Sequence, residues 1–288
     1  MKLLILMACL GIERYLHIGS ILKRFSWFDA YLKILQNLFS KNSPVLKGYL
    51  GIFLVVFPIF AVIGGINFII TRFQYGLSGV GLSFIVLIYC FGPGDLYSKV
   101  QVYVSSVLKK DDTMASAEYQ DLTGEMPQVD ERTTARKLTE MIFVLANDGF
   151  FSVVFWYMFL GPLGVIIYRL VFVIAKSAEE GKELCVPMGP EAIALNNWLS
   201  WIPARIGSLL YIFSAGFQGF STWREKALSM NNTNEDCLKT CGLTSLSHVH
   251  DKELPAIEEN KKAIFIVDRS LVIALVVIAV FSLGAWIN

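Results

Sequence analysis

The sequence predicts an all-α, polytopic integral membrane protein with four to five membrane segments, and three observations carry that expectation. Of its 288 residues, 55% are hydrophobic and only 17% charged, where soluble domains carry about 45–50% and about 25%. Several apolar runs reach the roughly 20 residues that cross about 30 Å of hydrocarbon as a helix. Lysines and arginines gather beside some ends of those runs and avoid others, which is how membrane proteins set their orientation. The whole chain, 1–288, reads as one integral membrane domain.

Taken in order, MKLLILMACL imitates a signal peptide until Glu13 and Arg14 interrupt it, and no small-residue cleavage site follows. The expectation is a retained amphipathic or interfacial helix. Residues 48–71 form the first span and 75–92 the second, with Gly76, Gly79 and Gly81 allowing close helix approach. Residues 93–147 are polar and read as a cytoplasmic helical segment. A third run, 150–175, is long enough but contains Gly161-Pro162 and Arg169. It either crosses fully, with 203–220 crossing back, or breaks into two half-helices. Residues 221–264 read as a polar loop, and about 269–287 as a final span whose stretch SLVIALVVIAVFSLGAWI has no charge. Lys23, Arg24, Lys33, Lys41 and Lys47, with Lys99, Lys109, Lys110, Arg132, Arg136 and Lys137, place the N-terminus and 93–147 in the cytoplasm.

The cassette NNWLSWIPARIGSLL, 196–210, contains the most informative charge. Proline lacks an N–H and is comfortable at a first helical position, so a helix is expected to begin at Pro203. Arg205 then falls in the first turn, where a cation opposes the helix dipole unless an anion sits between it and the free amides. The alternative is that Arg205 snorkels to the headgroups while Trp198 and Trp201 form an interfacial belt. Asn147 or Asp148 is a natural N-cap for the helix that follows. Arg169 is an intramembrane charge, and such charges are functional candidates. Glu13 and His17 share a helix face at i, i+4.

Cys237, Cys241, His248 and His250 are legitimate zinc ligands, but their spacing matches no common finger, and incidental loop residues are the expectation. The five cysteines suggest reduced thiols and no disulfide framework. A net charge of +1 gives no field to attract nucleic acid. Phosphate-loop, dinucleotide, hydrolase-elbow and metalloprotease motifs are all missing.

The combination A-N-D-G (146–149), G-P-x-G (161–164), Y-R (168–169) and N-W-x-x-W-I-P-A-R (197–205), with E-R-Y-L near the start, resembles the AmpE/CobD-CbiB superfamily. The resemblance runs over essentially the whole chain, in the family's order. Its cobalamin branch comprises ATP-dependent enzymes that join an aminopropanol unit to a corrinoid carboxylate. That branch typically reads A-E-N-x-x-D-G and Y-R-x-x-N-T-L-D-S. Here no glutamate precedes Asn147, its spacing to Asp148 is collapsed, and neither asparagine nor aspartate follows Arg169. Length, final anchor and eroded motifs look more like the AmpE branch. The resemblance therefore implies a non-enzymatic regulator in the bacterial inner membrane, acting in β-lactamase induction and envelope stress and sensing an anionic ligand. The expected site residues are Asp148, Arg169, Pro203 and Arg205, with Glu13 and Asn197, and no cofactor is expected. The expected partners are the lipid bilayer, membrane proteins and a phosphate-bearing small molecule or cell-wall metabolite. The alternative is an adenosylcobinamide-phosphate synthase-like amide ligase. A cytosolic reaction would put Asp148, Arg169 and Arg205 on the cytoplasmic face, which favours the broken third segment.

Overall fold

The computed structural model describes residues 2–16, 26–39, 47–73, 77–91, 96–182, 185–229, 232–249 and 255–287. Among the described residues every regular element is helical. In order they are α1 (Lys2–Leu16), α2 (Ser26–Phe39), α3 (Gly48–Phe73), α4 (Leu77–Cys90), α5 (Leu96–Lys109), α6 (Asp112–Thr123) and α7 (Glu131–Ala146). A π-helical turn (Asn147–Phe151) leads into α8 (Ser152–Leu160), then α9 (Pro162–Glu179) and a 3-10 turn (Val186–Met188). The last four are α10 (Gly189–Ser214), α11 (Phe220–Leu228), α12 (Asn234–Val249) and α13 (Ala256–Ile287). The all-α membrane class is as the sequence predicts.

Among the described residues three helices are long and apolar enough to cross a bilayer: Gly48–Ile69, Glu131–Leu160 and Ile257–Ser282. On the first, Phe53, Phe57 and Phe68 are exposed, and on the last, Val276, Val280 and Phe281. Apolar side chains in such positions need a hydrocarbon solvent.

Several expectations need correction. Of the expected span 75–92 the structure describes a 14-residue helix, Leu77–Cys90, roughly 21 Å long at 1.5 Å per residue and by itself shorter than an upright crossing. The polar segment does not end at 147, because Asp130 starts the second crossing helix. Its carboxylate accepts from the amides of Arg132 (3.3 Å) and Thr133 (3.1 Å), which leaves no capping role for Asn147 or Asp148. The expected loop 221–264 contains α11, α12 and the start of α13.

The run 150–175 breaks at Gly161, where φ is +70° and ψ is −156°. Only glycine tolerates that backbone region, and Pro162 both pushes residue 161 away from the α region and starts α9. Gly161→Ala is expected to destabilise the protein by about 1–2 kcal/mol, seen as a lower midpoint of thermal unfolding in detergent. An unchanged midpoint would mean that this break carries no strain.

The chain divides into two compact units. The first comprises Met1–Phe91 and Val153–Ser200. Within it α9 packs on α3 and α4, and α4 on α1. Leu6, Leu87, Tyr157, Tyr168 and Ile174 are fully buried there.

The second comprises Gly92–Ser152 and Trp201–Asn288. Its centre is α7, which packs on α12 and α13. Leu138, Ile142, Phe143, Ala263 and Val267 belong to its core. Asn260 of α13 crosses to α7, donating to the Ala135 carbonyl (2.8 Å) and the Thr139 hydroxyl (2.9 Å). That pair of bonds fixes the register of two helices whose apolar surfaces alone would slide.

Candidate functional site

The second unit buries a polar layer formed by the π-turn, α10, α11 and α12. The π-turn falls on the A-N-D-G motif, and the Ser152 amide reaches back to the Asn147 carbonyl five residues earlier. Such a bulge redirects side chains within a helix and is frequent at functional sites. Asn147 is fully buried; its amide nitrogen donates to Asp148 Oδ1 and to Ser152 Oγ, both at 3.3 Å. A Cβ at Gly207 of α10 would lie 2.9 Å from Asn147 Oδ1. The glycine therefore lets α10 approach the π-turn closely. The two sequence motifs, fifty-odd residues apart, thus meet in one unit.

Arg205 lies two residues before that contact and is 7% exposed. Its Nε donates to the Ala227 carbonyl (3.4 Å), and its Nη1 to the Trp201 carbonyl (3.2 Å) and to Asn234 Oδ1. The guanidinium carbon stands 4.3 Å from the Trp201 ring centroid, a cation–π contact. Trp223 Nε1 donates to the Arg205 carbonyl at 3.0 Å, as does Ser208 Oγ at 3.0 Å. Burial lowers the Arg205 pKa, yet a guanidinium stays charged in proteins. Among the described residues its acceptors are neutral, Nη2 makes no hydrogen bond, and no carboxylate pairs with it. A buried cation in that condition calls for an anion.

A thiol of lowered pKa lies inside the same layer. Cys237 Sγ lies 3.4 Å from Ser208 Oγ. A hydrogen bond from Cys241 holds the Cys237 thiol down at about 6 against the opposing effect of burial. Ser208, Arg205 and Lys226 add to that lowering. Cys241, on the donor side of the same bond, is pushed up.

Two expectations about the cassette fail here. The helix does not begin at Pro203: α10 starts at Gly189-Pro190 with Glu191 in its first turn, and Pro203 lies inside it. Arg205 consequently has no free amides of its own helix beside it. Nor does it snorkel, although Trp198 (80% exposed) and Trp201 (45%) do lie on the surface. Its fork instead holds Asn234, the first residue of α12.

The remaining candidates are distributed as follows. Arg169 is buried in α9 of the first unit, its guanidinium carbon 4.9 Å from the Phe172 ring centroid. Asn197 is exposed on α10, also in the first unit. Glu13 belongs to α1, but its side chain, like all of His17, lies outside the described residues.

A single metal ion shared by Cys237, Cys241, His248 and His250 is incompatible with α12. Cys237 and His248 are eleven residues apart on one continuous helix, roughly 16 Å along its axis. The His248 side chain and all of His250 lie outside the described residues.

Sequence reasoning missed Asn234, Ser208, Gly207 and Trp223 as parts of the site. A signal for α12 existed: T-N-E-D (233–236) is a capping sequence, and its Asp236 amide donates to Thr233 Oγ1 at 3.1 Å. Buried Cys237, Leu238, Cys241, Ser245 and Leu246 then follow at helical spacing.

Comparison with known proteins gives one consistent direction. A family model described as "CobD/Cbib protein" matches residues 12–241. A "Cobalamin biosynthesis protein CobD" of Chromobacterium violaceum is 26% identical over 120 residues, 41% of this chain and 38% of that protein. A protein of the same name from Stutzerimonas stutzeri is 25% identical over 123 residues, 42% of this chain and 41% of the relative. The chain thus spans about two fifths of the length of these curated relatives. No solved structure matches. These matches overturn the AmpE-type regulatory role and, with it, the links to β-lactamase induction and signalling. The family similarity extends over residues 12–241, whereas the erosion is confined to two motifs.

Proposed function

The chain belongs to the CobD/Cbib protein family, and from that premise we propose that it acts in cobalamin biosynthesis as a membrane-bound amide-forming enzyme. Its substrates in this reading are a corrinoid carboxylate and an aminopropanol unit. The observation that carries the reading is Arg205, a buried cation that, among the described residues, has an unspent guanidinium nitrogen and no carboxylate beside it. A phosphate or carboxylate of the substrate is the anion it would hold, and charge-assisted bonds to such groups are the strong ones.

Amide formation also requires the amine to lose a proton before or as it attacks the activated carbonyl. Asp148, half-buried on the π-turn and oriented by Asn147, offers the carboxylate to hold that ammonium and take its proton. The resemblance also implies ATP, whose phosphates are normally neutralised by a divalent metal. Among the described residues no three histidine, cysteine or acidic side chains converge. The described residues thus form no three-ligand metal site of their own.

The test is rescue. Expressed in a strain lacking its cobinamide-forming enzyme, the chain is expected to restore corrinoid amide formation, and Asp148→Asn to lower it by about 10²-fold. No rescue from a well-expressed, membrane-inserted chain would overturn the proposal. The proposed orientation, with the N-terminus in the cytoplasm, is tested by thiol labelling of single-cysteine variants from each side of the membrane.

A further inference from the structure

The first unit holds a groove that the proposed reaction does not use. Its cavity of about 360 Å³ is walled by Tyr49, Phe53, Phe57 and Phe60 of α3, with Ile167 of α9 and Leu195 of α10. The α3 residues recur at helical spacing along one face of a helix that is itself a membrane span. Tyr49, Phe53 and Phe57 remain 62%, 59% and 50% exposed. Phe53 and Phe57 lie more than one turn into the span, where hydrocarbon reaches them, so an acyl chain is the chemistry that fits.

The mouth of the groove is charged. Gly48, at φ +64°, turns the chain into α3. A Cβ there would lie 3.5 Å from Glu191 Oε1, so the Glu191 carboxylate stands at the first turn of the span. Glu191 precedes Leu195 by one turn and shares its face of α10. On the other side Lys47, exposed, immediately precedes Gly48. Neither side chain makes an ion pair or hydrogen bond among the described residues. A basic residue preceding the span and a carboxylate at its first turn therefore lie at the head of an apolar slot.

We propose that this groove binds one phospholipid with a zwitterionic ethanolamine headgroup, its phosphate on Lys47, its ammonium on Glu191 and an acyl chain along α3. The carboxylate selects the headgroup. It repels a purely anionic glycerol head, and a quaternary choline has no N–H to donate to it.

The purified full chain, offered equal amounts of phosphatidylethanolamine, phosphatidylglycerol and phosphatidylcholine in detergent, is examined by native mass spectrometry. One retained phosphatidylethanolamine is expected, favoured about fivefold over either competitor. Glu191→Gln is expected to erase the preference while lipid is still retained. Ile167→Trp, which fills the slot, is expected to reduce retention of all three lipids. Leu195→Phe tests the same point if Ile167→Trp loses its helical circular dichroism. Equal retention of the three lipids, an unaltered preference in Glu191→Gln, or no retained lipid would each overturn the assignment. None of these outcomes bears on corrinoid amide formation, so this inference and the proposed reaction fail independently.

Discussion

Replacing Arg205 by methionine is expected to abolish corrinoid amide formation while leaving a folded, membrane-inserted protein. Methionine roughly matches the buried length of arginine but removes both the charge and the fork. The Ala227, Trp201 and Asn234 oxygens each lose a donor. At about 1 kcal/mol apiece, the stability loss is about 2–3 kcal/mol. Part of that is offset, because removing a buried charge also removes its desolvation penalty. Function has no such compensation: loss of a preorganised donor to a reacting or anchoring anion typically lowers rate by about 10²–10³-fold. Arg205→Lys is a sharper test. It keeps the positive charge, but a compact ammonium cannot hold three acceptors of fixed geometry and stack on Trp201 as well. Lysine is therefore expected to recover less than about a tenth of the activity. Cobinamide formed per unit of membrane protein is the measurement. Wild-type activity in Arg205→Met would remove the anion site from this protein.

Gly242→Val should cause the largest loss of stability, at least about 3 kcal/mol. Gly242 is on α12 against α7, and a Cβ there would fall 2.3 Å from Phe143 Cδ2 and 2.4 Å from Phe143 Cγ. The phenyl ring cannot retreat. It is fully buried, its centroid is 4.9 Å from that of Tyr211, and the Tyr211 hydroxyl donates to the Phe143 carbonyl at 2.8 Å. The gain in helix propensity on losing a glycine, about 0.5 kcal/mol when valine replaces it, is much too small to offset the clash. Thermal unfolding in detergent reads the effect. The double variant Phe143→Ala, Gly242→Val should recover part of it, because the two changes share one space. Simple additivity of the two losses would show that the contact is not the cause. Since α12 supplies Asn234 and Cys237 to the site, the single variant should also lose activity in step with its stability.

How far the site was legible differs residue by residue. Arg205 and Asp148 stood out because a charge in an apolar setting is improbable without a purpose. What Arg205 touches did not. Ala227 and Asn234 lie 22 and 29 residues beyond it, inside a stretch whose polar composition reads as loop. Only packing against α7 makes α12 a buried helix. The helix start at Pro203 was wrong for a related reason. Proline inside a helix costs about 3 kcal/mol, so local rules put it at an end. Here Ala204, Tyr211 and Ile212 are fully buried around and after it, and that burial carries α10 through the proline.

By itself, then, the sequence determined what depends on summed composition. Those are the all-α membrane class, the span beginning at Gly48 and a span towards the C-terminal end. Transfer of a 20-residue apolar stretch out of water needs no distant partner to be decisive. The tertiary structure decided the rest. It converted Asn147 from a cap into part of a π-turn, brought that turn against Gly207, and set Arg205 at the head of α12. Each of these is a contact between segments far apart in the chain. Such contacts are fixed by which buried faces fit together, and no local window of residues contains that information.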